Sequence, residues 1–84
     1  MQVVADTPRE SYWDAMDLPS EHELLRSIES KTNRQVHDLR VLCRGRHVVL
    51  RGSSRTYYVK QLATHAILDL MPHANVDNAI LVAR

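Results

Sequence analysis

The run Leu39-Arg40-Val41-Leu42-Cys43-Arg44-Gly45-Arg46-His47-Val48-Val49-Leu50-Arg51-Gly52 decides the fold. Leu39, Val41 and Cys43 fall on every second position before Gly45, and Val48 and Leu50 do so after it. A period of two marks a strand with one apolar face. Arg44-Gly45-Arg46-His47 supplies the turn, because glycine accepts the positive φ of a tight hairpin at no steric cost. Gly52 is read as the end of the second strand, so the hairpin is expected over 36–43 and 47–52. Arg40, Leu42, Arg44, His47, Val49 and Arg51 lie between the apolar beats and are expected on the opposite, solvated face.

Upstream of this run, Ser20-Glu21-His22-Glu23 has the spacing of a capping box, in which the serine hydroxyl accepts from the amide three residues on and Glu23 reaches back. With Pro19 just outside and Leu24, Leu25 and Ile28 at helical spacing, it predicts a helix over about 20–31, broken by Thr32-Asn33-Arg34. Downstream, Ser53 or Ser54 is the expected cap of a second helix whose inner side carries Val59, Leu62, Ala63, Ala66, Ile67 and Leu70. Its outer side carries Tyr57, Gln61, Thr64 and Leu68, with Met71 at the edge, and Pro72 stops it. Val76, Ile80 and Val82, with Asn78 on the same face, predict a last strand. The sum is an α+β fold of order helix-strand-strand-helix-strand, with two helices packed on one face of a three-stranded mixed sheet.

The chain has 84 residues, room for one small domain with a modest core, and a dimer is one expectation for so thin a margin. Cys43 is the one cysteine, which excludes an intrachain disulfide; its place on the apolar beat predicts a buried, unreactive thiol. Residues 1–18 lack sustained periodicity and are expected to form a flexible acidic tail, with Tyr12, Trp13, Met16 and Leu18 as its large apolar groups. The domain proper is expected over 19–84. No stretch resembles a signal peptide or a membrane span, so the chain as written is expected in the cytoplasm, and in the periplasm or envelope if it was cut from a longer protein.

The net charge of +1 hides an asymmetry. Residues 1–30 hold Asp6, Glu10, Asp14, Asp17, Glu21, Glu23 and Glu29 against Arg9 and Arg26. Residues 31–60 hold Lys31, Arg34, Arg40, Arg44, Arg46, Arg51, Arg55 and Lys60 against Asp38. The hairpin is therefore the electropositive part of the molecule.

With these elements in place the chain resembles the BON domain, a small bacterial module, over about residues 20–83. The resemblance is carried by Val41, Cys43, Val48, Leu50 and Gly52 in the hairpin, Lys60, Ala63 and Ala66 in the second helix, and Val76, Asn78, Ile80 and Val82 in the last strand. Gly45 stands one place earlier than the family's hairpin glycine, and Pro72-His73 replaces its usual Gly-Val. The resemblance implies a binding module without catalytic activity, of the kind for which attachment to phospholipid is proposed.

Three candidate surfaces follow. Arg40, Arg44, Arg46, Arg51, Arg55 and Lys60, with His47, form a basic set expected to attract the phosphate of an anionic lipid surface, unless they are simply a solvated face balanced by the tail. Tyr57 and Leu68 on the outer side of the second helix are expected to contact a partner chain, a second copy, or the Tyr12-Trp13 segment, whose acids would then approach the hairpin. The sheet edge offers an alternative route to a protein assembly. Nucleic acid is disfavoured, because the strands lack stacking aromatics and the glycines number only Gly45 and Gly52. The five histidines lack zinc spacing, so no metal or other cofactor is expected. No activated nucleophile, paired carboxylates or phosphate-cradling loop points to an enzyme.

Overall fold

A computed structural model describes residues 19–83, so the expected tail, Trp13 included, lies outside the described residues. The order is α1 (Glu21–Lys31), β1 (His37–Arg44), β2 (His47–Ser54), α2 (Tyr57–Leu70) and β3 (Asn75–Val82). The sheet order is β1-β2-β3, with β1 antiparallel and β3 parallel to β2. Both helices pack on one face, α1 over β1 and α2 over β2 and β3, giving the expected two-layer α+β architecture.

Local chemistry sets the ends of α1. Glu23 N donates to Ser20 Oγ at 3.1 Å and Ser20 N donates to Glu23 Oε1 at 2.8 Å, a complete capping box. At the other end Asn33 and Arg34 both take positive φ, and Arg34 N donates to Glu29 O at 2.8 Å while Asn33 N donates to Ser30 O at 3.3 Å. This is a Schellman closure made without glycine, with asparagine, the best non-glycine tenant of the left-handed region, at its hinge. Thr32 is buried there and donates its hydroxyl to Ile28 O.

Leu24 and Ile28 from α1, Val41, Val48, Leu50 and Ile80 from the sheet, and Ala63, Ala66 and Ile67 from α2 form the core. The alanines let α2 approach the sheet closely. Each fully buried aliphatic side chain contributes about 1.5–3 kcal/mol, so these few residues carry the domain. Leu70 departs from the expected buried side: it is 45% exposed, and Met71 is buried in its place. The helix ends at Leu70, and Met71, its C-cap, leaves the helical conformation and joins the core cluster.

The hairpin turn is two residues, Gly45-Arg46, closing Arg44 against His47. Gly45 has φ +58 and Arg46 does not share it, as in a type II′ turn with glycine first. Gly52 has a different role from the expected one. The second strand runs on to Ser54, paired with Val82 of β3, so Gly52 does not end it. It faces an irregularity in β1, where the register advances three residues (His37 to Arg40) against two in β2 (Ser53 to Arg51) and Asp38 takes φ +54. A Cβ on Gly52 would lie 2.8 Å from His37 O and 2.9 Å from Val36 Cγ1. Glycine is the residue that lets the bulge close.

The cap of α2 is Thr56, whose Oγ1 accepts from Val59 N at 3.1 Å, and not Ser53 or Ser54. Those serines are held in β2 by the parallel pairing, and the buried Ser54 donates its hydroxyl to Thr56 O.

Candidate functional site

Because Val41, Val48, Leu50 and Ile80 point into the helical layer, alternation turns their neighbours to the face that no helix covers. The registers arrange this face in rows across three strands. Arg44, His47 and Asn75 lie nearest the turn, Leu42, Val49 and Asp77 next, then Arg40, Arg51 and Ala79, with Ser53 and Leu81 last. Asp38, Arg40, Leu42, Val49, Arg51, Gly52, Ser53, Asp77 and Leu81 line a shallow concavity of about 800 Å3 on it. Leu42 is 56% and Leu81 70% exposed, so the concavity mixes cationic and apolar surface.

The row Arg40–Arg51 is the notable one. Like charges directly opposite on an antiparallel pair destabilise it. Neither guanidinium forms an ion pair among the described residues, where the ion pair found is Lys31–Asp69 at 2.9 Å between α1 and α2. The two-residue turn creates the confrontation, since the register runs unbroken from Arg44 opposite His47 to Arg40 opposite Arg51, and the bulge lies beyond that row.

The other candidates disperse. Arg46 sits in the hairpin turn beside this face. Arg55 lies at the far end of the sheet, lining a depression of about 430 Å3 with Arg34, Gln35, His37, Thr56 and Val59. Lys60 is on α2, in the helical layer, and its carbonyl accepts from Asn78. Tyr57 is 62% exposed and Leu68 is 36% exposed, on the helical side, with Tyr58 beside them at 71%. A segment docked on Tyr57 and Leu68 would therefore lie across the molecule from Arg40, Arg44 and Arg51 and would not bring acids to them.

Asn78 holds α2 to the sheet. Its Nδ2 donates to Lys60 O at 2.8 Å and to Thr64 Oγ1 at 2.7 Å, and its Oδ1 accepts from Ile80 N at 3.1 Å. Thr64, expected on the outer stripe, is half-buried for this reason. The same asparagine closes the β3 edge at Ile80, and Glu21 does likewise on β1, where its carboxylate accepts from Cys43 N at 2.8 Å. Both outer strands thus carry a polar stopper. Burial, and then the nearby Glu21 carboxylate, push the half-buried Cys43 thiol above its ordinary 9.0. Cys43 is thus half-buried where the alternation predicts full burial, and a neutral thiol is a poor nucleophile.

Among the described residues no group of three or more histidine, cysteine, aspartate or glutamate side chains is placed to hold a metal ion, and no helix is long and apolar enough to cross a membrane. Compared with protein-family models, with curated proteins and with solved structures, the chain has no significant match in any of the three.

Proposed function

We propose that the chain is a non-enzymatic, BON-like binding module that attaches reversibly to an anionic phospholipid surface through its uncovered sheet face and hairpin turn. The observation that carries this reading is the Arg40–Arg51 row, an unneutralised like-charge pair that a shared anion would relieve. Leu42 and Leu81 beside it favour an amphiphilic ligand over a bare phosphate, since they can meet the acyl boundary while the guanidiniums meet headgroups. At about 1 kcal/mol per basic residue near an anionic leaflet, Arg40, Arg44 and Arg51 supply roughly 3 kcal/mol, enough for reversible attachment. Asp38 and Asp77 on the same concavity temper the charge and keep the affinity modest.

Co-sedimentation of the full chain with phosphatidylglycerol vesicles, against phosphatidylcholine alone, tests it at low and high salt. Binding confined to the anionic vesicles and lost at high salt is expected; no binding at low salt would overturn the reading. A second reading, contact with a protein partner or a second copy, is favoured by the exposed Tyr57 and Tyr58 on the helical side. Light scattering over a concentration series tests the second-copy form of it, and a strict monomer would count against it.

A further inference from the structure

The concavity on the sheet face is cationic and apolar at once, and the chain itself contains a segment of the opposite character. Residues 1–18 carry Asp6, Glu10, Asp14 and Asp17 against Arg9, with Tyr12, Trp13, Met16 and Leu18 interleaved among the acids. We infer that this acidic, aromatic segment docks on the open sheet face, its carboxylates meeting Arg40 and Arg51 and its aromatic groups covering Leu42 and Leu81. The inference rests on the reading of that face as an anion-binding surface and adds its regulation: the segment is a built-in competitor for the lipid.

Three observations support the pairing. The first is complementarity, since the segment supplies in cis the anion that the Arg40–Arg51 row lacks. The second is reach. Pro19 lies two positions before Glu21, whose carboxylate accepts from Cys43 N at the outer edge of β1, and it lines a depression with Leu70, so the segment starts in the helical layer next to the β1 edge and reaches the open face around that edge. Trp13, six residues before Pro19, has a span of roughly 20 Å at about 3.3–3.6 Å per residue, while strands lie only about 4.8 Å apart. Tethering at that range gives an effective concentration on the order of millimolar, so even weak docking is well populated. The third is the poor fit of the other obvious occupant. A second copy on this face would bring three more arginines to a surface whose lining offers Asp38 and Asp77 alone as acids.

Trp13 is the chain's one tryptophan, so its fluorescence in the intact protein reports the docking directly. Without lipid, Trp13 is expected to be shielded from acrylamide at low salt, and its quenching is expected to rise several-fold at high salt and in Arg51→Glu, with circular dichroism confirming that the variant is folded. The salt titration needs no variant at all. Quenching equal to that of a free tryptophan at low salt, or unmoved by Arg51→Glu, would overturn docking on this face. Shielding that grows with protein concentration would also overturn it, by moving the contact between molecules. Adding phosphatidylglycerol vesicles separates the two readings: unshielding of Trp13 with co-sedimentation supports both. Shielding that vesicles never relieve, with no co-sedimentation even in a Tyr12→Ser/Trp13→Ser variant, sinks the lipid reading and leaves the docking standing.

Discussion

Replacing Arg51 by glutamate should move stability and binding in opposite directions. In the fold, Arg51 stands directly across from Arg40 with no counter-ion among the described residues. A like-charge cross-strand pair costs, and an opposite-charge pair contributes, about 0.2–1 kcal/mol, so reversing one charge should stabilise the hairpin by roughly 0.4–2 kcal/mol. Both side chains are exposed, which places the effect in the lower half of that range. For a domain of this size, 1 kcal/mol moves the melting temperature by about 4–8 °C, so Arg51→Glu should melt a few degrees higher in a Tyr12→Ser/Trp13→Ser background, where no docked segment screens the pair. The same change removes one attractive charge from the face proposed to meet the membrane and adds a repulsive one, about 2 kcal/mol, or roughly a 30-fold loss of vesicle affinity. Thermal melts by circular dichroism at low salt and vesicle co-sedimentation measure the two quantities on one preparation. Lys60→Glu, an equal change of charge in the helical layer, should weaken vesicle binding far less. Arg51→Glu melting lower than its Tyr12→Ser/Trp13→Ser background would refute the unrelieved like-charge row. Equal losses of binding in Arg51→Glu and Lys60→Glu would show that the face has no special part.

Gly52→Ala should be severely destabilising while Gly45→Ala is mild. At Gly52 a Cβ meets backbone and side chain at 2.8 and 2.9 Å at φ +148, which combines about 1–3 kcal/mol of backbone strain with a comparable overpacking cost. At Gly45 nothing lies within 4 Å, leaving roughly 1–2 kcal/mol for the left-handed conformation. Urea titration ranks the two, and equal midpoints would sink the bulge argument. Asn78→Ala should cost about 1–3 kcal/mol, because Lys60 O and Ile80 N lose their partner, and it should raise self-association in sedimentation velocity by unblocking the β3 edge. For Cys43 the raised value favours the protonated thiol in the folded state. The folded chain therefore holds its proton where the unfolded chain releases it, and stability should fall as pH rises from about 9.0 through the higher folded value. Cys43→Ser should lose that alkaline slope in a pH series of melts.

The parts of the fold legible in the sequence are those governed by neighbours along the chain. The beat of two around Gly45, the Ser20-Glu23 box and the apolar face of α2 are each set within a few residues, and each lies where its pattern predicts, Leu70 at the end of α2 excepted. The parts that escaped depend on pairing between distant segments. Ser53 and Ser54 look like caps by composition, but β3 recruits them into β2 and moves the cap to Thr56. Gly52 looks like a strand end, whereas its reason is a crowded backbone fifteen residues upstream. At the candidate site, alternation is enough to turn Arg40, Arg44 and Arg51 outward together. That Arg40 meets Arg51 is a matter of register, which the two-residue length of the turn at Gly45-Arg46 decides. Lys60 and Arg55 belonged to the same basic stretch of sequence, yet the crossover to α2 carries Lys60 to the other layer and leaves Arg55 at the far end of the sheet. Asp77 and Leu81 were readable from the parity of β3, because they alternate with Ile80, and they complete the face.

The polar stoppers at the two sheet edges bear on how this domain behaves when crowded. A small sheet with one bare face, concentrated on a two-dimensional surface, would ordinarily coalesce with its neighbours strand to strand. Glu21 on Cys43 and Asn78 on Ile80 occupy edge amides that such growth would use. Copies gathered side by side would then remain separate, exchangeable particles, and any lattice they formed would have to be built from side chains and not from a shared sheet.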